Sequence, residues 1–125
     1  MKRLVAAFGI LLLDIGLLAL AAQTATKDSL EARDSFTNQT DVKVFELEVS
    51  EHARAVRLRL ALAADTGCLR WTLTDAEGIV RGAGDLREGR EEYDSGNLLP
   101  AAGRWVLRIE RENASGTYDL RLQAR

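Results

Sequence analysis

From Asp41 onward the chain alternates apolar and polar positions with a period of two. Phe45, Leu47 and Val49 alternate with Glu46 and Glu48, and Val56, Leu58, Leu60 and Leu62 alternate with Arg57, Arg59 and Ala61. Leu69, Trp71 and Leu73 alternate with Arg70, Thr72 and Thr74. Successive side chains of a strand point to opposite faces, so each run has one wet face and one dry face. Asp75-Ala76-Glu77-Gly78 reads as a turn, because Asp bonds its own backbone and Gly takes positive φ freely. A short strand over 79–83, a loop over 82–89 and a polar edge strand over 91–98 are expected next. Leu99 to Gly103 then turns the chain into a strand carrying Trp105, Leu107 and Ile109, and Glu112 to Gly116 is expected to close a hairpin onto Tyr118, Leu120 and Leu122.

These seven to eight short strands, with turn signals every 8 to 12 residues or so, predict an all-β domain. One-sided alternation implies antiparallel sheets that each pack one face inward, which is a small antiparallel β-sandwich of jelly-roll-like form. Trp71, Trp105 and Tyr118 are in phase with their apolar neighbours and belong to the predicted core.

The first 22 residues have a different pattern. Lys2 and Arg3 precede an apolar run from Leu4 to Ala22 that is broken only by Asp14 and ends in small residues. This is the layout of a signal peptide with a hydrophobic helix, with cleavage expected after Ala21 or Ala22. The alternative is an uncleaved anchor, since nineteen helical residues rising about 1.5 Å each nearly span a hydrocarbon core of about 30 Å. Asp14 weighs against the anchor, because a carboxylate at mid-membrane costs roughly 2.5 to 3.5 kcal/mol. Export to the periplasm or the exterior is therefore the expected localisation, with an inner-membrane anchor facing outward as the alternative. The expected organisation is a signal peptide or anchor over 1–22, a polar tether over 23–40 whose second half forms a first irregular strand, and a β-sandwich over 41–125.

Charge narrows the partners. Removing Lys2, Arg3 and Asp14 takes the 17 basic and 19 acidic side chains to 15 and 18, a net charge of −3. A nucleic-acid footprint needs basic residues gathered into a patch of one sign. Arg54, Arg57 and Arg59 follow closely on Glu46, Glu48 and Glu51, and cross-strand ion pairs account for them. No nucleic-acid partner is expected, and contact with a membrane only if the N-terminal segment is retained.

Several motifs remain together. The succession Phe45-x-Leu47-x-Val49, Leu69-x-Trp71-x-Leu73-x-Asp75-x-x-Gly78, Ala102-Gly103-Arg104-Trp105-x-Leu107-Arg108-Ile109 and Gly116-x-Tyr118-x-Leu120-x-Leu122 resembles the bacterial pre-peptidase C-terminal domain over roughly 41–123. The resemblance implies a jelly-roll-like sandwich of the kind appended to secreted peptidases and other extracellular hydrolases as an accessory or binding module. Where members of that family often carry an acidic Asp-x-Asp-Leu stretch, this chain reads Asp65-Thr66-Gly67-Cys68-Leu69. No peptidase domain precedes the module in this sequence, so it is expected to act through a partner or ligand, or as an envelope component.

Catalysis is not expected. His52 is the single histidine, set in a hydrophilic turn, and a serine or cysteine nucleophile needs a base within reach. One histidine and the single Cys68 on separate elements make no zinc set. Glu91 and Glu92 point to opposite faces and cannot flank one glycosidic bond. Cys68 has no cysteine to pair with, so the domain must be held by burial alone. Asn113-Ala114-Ser115 fits a glycosylation sequon, but an ordinary hairpin turn is the expected account of it.

The expected function is a non-enzymatic exported interaction module with a protein partner at the cell envelope. The alternative is a carbohydrate- or cell-wall-binding module. For that reading Tyr93, set among Glu91, Glu92, Asp94 and Ser95, is the expected exposed ring and ligand-binding residue. No cofactor is expected apart from a structural calcium as an alternative, for which Asp65, Asp75, Glu77, Asp85 and Asp94 supply oxygen ligands in or near loops.

Overall fold

A computed structural model of the chain describes residues 22–25 and 28–125. The hydrophobic segment read as a signal peptide or anchor lies, up to residue 21, outside the described residues, and among these no helix is long and apolar enough to cross a membrane.

The period-two runs do form strands, but they join into fewer and longer ones than expected. Five strands, β1 (Ala22–Ala25), β2 (Ser29–Val49), β3 (Val56–Thr74), β4 (Val80–Asp94) and β5 (Gly103–Ala124), make one sheet in the order β1-β2-β5-β3-β4. All pairings are antiparallel except β1 with β2, which runs parallel from Ala22 opposite Val44 to Ala25 opposite Leu47.

The expected count of seven to eight is corrected by a crease. Each of the four long strands carries positive φ near its middle: Asn38 in β2, Gly67 in β3, Glu88 and Gly89 in β4, and Asn113 in β5. The pairing registers slip at the same level, between Phe36 and Asp41 and between Ala64 and Cys68. Asn, Gly and their neighbours therefore bend each strand instead of reversing it, and the ladder resumes beyond the bend. The hairpin expected at 112–116 is a bend within β5, and the loop expected over 82–89 is part of β4. The tether expected over 23–40 is strand from Ser29 on, because 29–36 pairs residue for residue with 116–123. The edge strand expected over 91–98 stops at Asp94, and only Leu98 rejoins, through a single bridge to Val56.

The crease folds the sheet into two facing leaves. Phe45 on the second leaf meets Tyr118 on the first edge-on at 5.9 Å, and Trp71 on the second meets Tyr93 on the first at 4.6 Å. Between the leaves lies one core, in which Trp71, Trp105, Leu47, Leu58, Leu69, Leu73, Leu107, Ile109, Leu120 and Leu122 are fully buried. The dry phase of each strand, including both tryptophans and Tyr118, faces inward as its alternation requires.

Two polar residues share that dry phase. Arg111 follows Ile109 by two positions and is buried, its guanidinium bonded twice to Asp41, once to Asp34 at 3.3 Å, and stacked 4.6 Å over the Phe36 ring. Burial works against its charge, but the Asp41 carboxylate more than compensates and raises its proton affinity. Asp75 follows Leu73 by two positions and is buried at the other end of the sandwich.

Candidate functional site

Because every long strand crosses the crease, both of its ends arrive at the opposite, open end of the sandwich. The connections 50–55, 75–79 and 95–102 therefore gather there. Asp75 organises this end. One carboxylate oxygen accepts from the Glu77 N–H at 2.8 Å and the Ile79 N–H at 3.0 Å, and the other from Arg81 Nη1 at 3.2 Å. The same Arg81 nitrogen donates to the Leu99 carbonyl at 3.1 Å, while its guanidinium lies 5.3 Å over the Trp105 ring. Trp105 in turn donates its indole N–H to the Ala101 carbonyl at 2.7 Å. Two loops are thus tied to each other and to the core. On them, and on the first residue of β4, sit the exposed large apolar side chains Ile79, Leu99 and Val80, with exposures of 54%, 80% and 58%. Apolar residues on a stiff support are ready to be buried by something else, since little ordering remains to be done on contact.

Burial pushes the Asp75 carboxyl up, but the two backbone donors and Arg81 outweigh it and hold it below the usual carboxylate range. A depressed folded-state value contributes stability that is present above the ordinary carboxylate pKa near 4 and is lost as pH falls through the folded value. Asp75→Asn should therefore melt below the parent protein by a constant margin from pH 7 to 5, and the margin should close as the pH is taken toward 2. Melting curves across that range check it, and a margin independent of pH would show that the charge plays no part.

The other residues singled out from sequence do not converge. Asp94 is held by Arg57 through two hydrogen bonds, at 2.8 and 2.5 Å, and approaches Arg59 at 3.8 Å. The Arg57 bonds, with the Gly96 N–H, keep its carboxyl well below the usual range. Asp85 faces Arg70 at 3.7 Å, and Asp65 and Glu77 are exposed. Among the described residues no three His, Cys, Asp or Glu side chains come together as a metal set. Arg57 and Arg59 find an acid on β4 rather than Glu46 or Glu48, because β5 lies between β2 and β3; Glu46 meets Arg104 at 3.9 Å. His52 is exposed in its turn, its backbone N–H donating to the Ser50 hydroxyl at 3.0 Å. Cys68 is buried with its thiol 3.4 Å from a Glu112 carboxylate oxygen, and burial followed by that carboxylate pushes the thiol up.

Tyr93 is placed differently from expectation. Its ring is half-buried and packs against Trp71 with the planes tilted by 55°. It points inward because it is paired with Leu60, and both belong to the dry face of the first leaf.

The sequence missed Asp75 as an organiser and Arg81 as its partner. Parity was the available signal: Trp71, Leu73 and Asp75 share one phase, so the turn aspartate had to enter the core. Arg81 has no such signal, since it sits at the register slip between Leu73 and Thr74 that only the paired strands reveal.

No protein-family model matches the sequence, and no curated protein matches it significantly. Solved structures do match. The pre-peptidase C-terminal domain of a collagenase from Bacillus anthracis aligns with 85% of this chain and 96% of its own length, with a TM-score of 0.54 at 16% identity. The chain has the fold of a pre-peptidase C-terminal domain. PliG of Aeromonas hydrophila, a periplasmic inhibitor of g-type lysozyme, shares the architecture over 85% of this chain and 97% of its own, with a TM-score of 0.51 at 12% identity.

Proposed function

We propose that this chain is a non-enzymatic, exported binding module whose loop end engages a protein partner at the cell envelope. The observation that carries the reading is the exposure of Ile79, Val80 and Leu99 at the loop end braced by Asp75, Arg81 and Trp105. A periplasmic inhibitor with the same architecture supports both the compartment and the class of partner. The N-terminal run of Leu4 to Ala22 behind Lys2 and Arg3 supports export. A carbohydrate- or cell-wall-binding role rested on Tyr93 as an exposed platform, and with that ring packed against Trp71 no observation favours it.

A photo-crosslinking amino acid placed at Leu99 in the full chain, expressed in a bacterial host and irradiated, should trap a discrete protein adduct in the envelope fraction. The same residue at Arg121, exposed on the outer face of the first leaf, should not trap it. Equal yields at both positions, or none at Leu99, would reject the loop end as the contact.

A further inference from the structure

We propose that the free edge of β4 at Gly82-Ala83-Gly84 accepts an extended segment of another protein as an additional strand. A hydrogen-bond acceptor on that segment would meet the indole N–H of Trp71.

Among the described residues β4 pairs only with β3, whereas the opposite edge of the second leaf is covered where β1 lies along Val44–Leu47. An uncovered edge presents a row of unpaired N–H and C=O groups, and natural sheets usually blunt such edges with long or charged side chains. Charges do line β4 from Asp85 to Asp94, but 82–84 carries nothing larger than the Ala83 methyl. This stretch is bare because of what lies beneath it. A methyl group added at Gly82 would stand 3.2 Å from Trp71 ring carbons and 3.1 Å from the Tyr93 hydroxyl, and one added at Gly84 would collide with Trp71 Nε1. The Trp71 indole N–H therefore occupies the space a side chain at position 84 would take, at the very margin of the sheet.

That N–H has no acceptor among the described residues. Trp71 is 1% exposed and its Nε1 makes no hydrogen bond, while the other tryptophan's N–H is satisfied by the Ala101 carbonyl at 2.7 Å. A buried donor without a partner is costly, and no side chain at position 84 stands between this one and the open edge. Strand addition supplies both halves of the complement: main-chain bonds along the edge, and a side chain placed by the strand's own alternation.

A second copy of this chain is the rival occupant, and parity disfavours it. Residues opposite one another in an antiparallel pair share a face, so in any symmetric pairing of the run 82–87, which lies beyond the register slip at Arg81, Gly84 must face an even-numbered residue. Those are Gly82, Gly84 and Leu86, none of which has a side-chain acceptor. The segment that fits is foreign, with Ser, Thr, Asn or Asp opposite Gly84. The readouts here are the Trp71 indole and the 82–84 amides, so the crosslinking result at Leu99 leaves this proposal standing or failing on its own.

The test uses the full chain as bait for a phage-displayed library of random twelve-residue peptides, followed by synthesis of the enriched sequence. With two tryptophans, a ¹⁵N-labelled chain shows two indole signals, and Trp71→Phe assigns them. The proposal expects the peptide to shift the Trp71 indole signal, to slow amide exchange at 82–84 and to leave the Trp105 indole in place. Replacing the peptide's shared polar residue with alanine should weaken binding about tenfold, and Trp71→Phe should weaken it by a similar factor while unfolding stays cooperative. Should Trp71→Phe not fold, the alanine peptide decides alone. The proposal is overturned if no peptide enriches, if the bound peptide leaves Trp71 and 82–84 unmoved, or if the same protection arises from self-association without peptide.

Discussion

Trp105→Ala should destabilise the protein by ~3–5 kcal/mol, the range for truncating a large buried aromatic ring. The ring is fully buried in the middle of the one core, on β5, the strand that pairs with both β2 and β3. Its loss opens a cavity that neighbours cannot fill without moving the two paired strands. It also frees the Ala101 carbonyl and removes the surface over which Arg81 lies, so the open end should loosen together with the core. For a small domain whose whole stability is of order 5–15 kcal/mol, and which has no disulfide to fall back on, this is a large fraction. Urea unfolding measures it as a drop in midpoint at unchanged slope. A change under about 0.5 kcal/mol, the size expected of an ordinary surface substitution, would contradict the inward facing of Trp105.

Gly67→Ala should be nearly as damaging for a different reason. Gly67 sits in the crease of β3 with φ of 75°, where an L-residue with a β-carbon pays roughly 1–2 kcal/mol. A β-carbon there would also run into the carbonyls of Glu112 and Asn113 in the crease of β5, and it would lie 2.5 Å from the Asn113 carbonyl carbon. Those atoms are backbone and cannot swing aside. Forcing the strands apart adds an overpacking cost, for a total of ~2–5 kcal/mol. Gly78→Ala is the matched control: φ is 82°, but nothing lies within 4 Å of the added carbon, so only the conformational part applies. Thermal unfolding of the two variants side by side should show the larger loss at Gly67. Equal losses would mean that the crease tolerates the wider spacing.

The crease also explains where sequence reading succeeded and where it stopped. Leu58, Leu60 and Leu62, or Trp105, Leu107 and Ile109, announce their own facing, because alternation is a local property of an extended chain. Asn113 and Gly67 announce only a departure from extended geometry. The same residue types serve a hairpin, which reverses the chain, and a bend, which redirects it while the ladder continues. Choosing between them requires knowing that Asn38, Gly67 and Glu88 bend at the same level, a fact carried by strand pairing rather than by any one segment.

The same limit applied to the site. Tyr93 looked exposed because acids surround it in sequence, yet Glu92 and Asp94 face solvent while Tyr93, at the alternate position, faces the core. Cross-strand ion pairing was the right kind of account for Arg57 and Arg59, but which acid each meets depends on strand order. Asp75 and Arg111 are the reverse case: each stands two positions beyond a core residue, a phase not followed that far in the sequence, and only their buried partners show why they are tolerated there.

By itself the sequence determined the all-β class, the inward face of the clearly alternating arms, the core placement of Trp71, Trp105 and Tyr118 and the turn at Asp75, because period-two burial and turn chemistry act over a few residues. Only the tertiary structure decided that eight arms are four creased strands in one folded sheet, that the chain reversals share one end with Ile79, Val80 and Leu99, and that β4 is left as a bare edge over Trp71. Those outcomes depend on which strands become neighbours, and neighbours are chosen by packing between residues far apart in the chain.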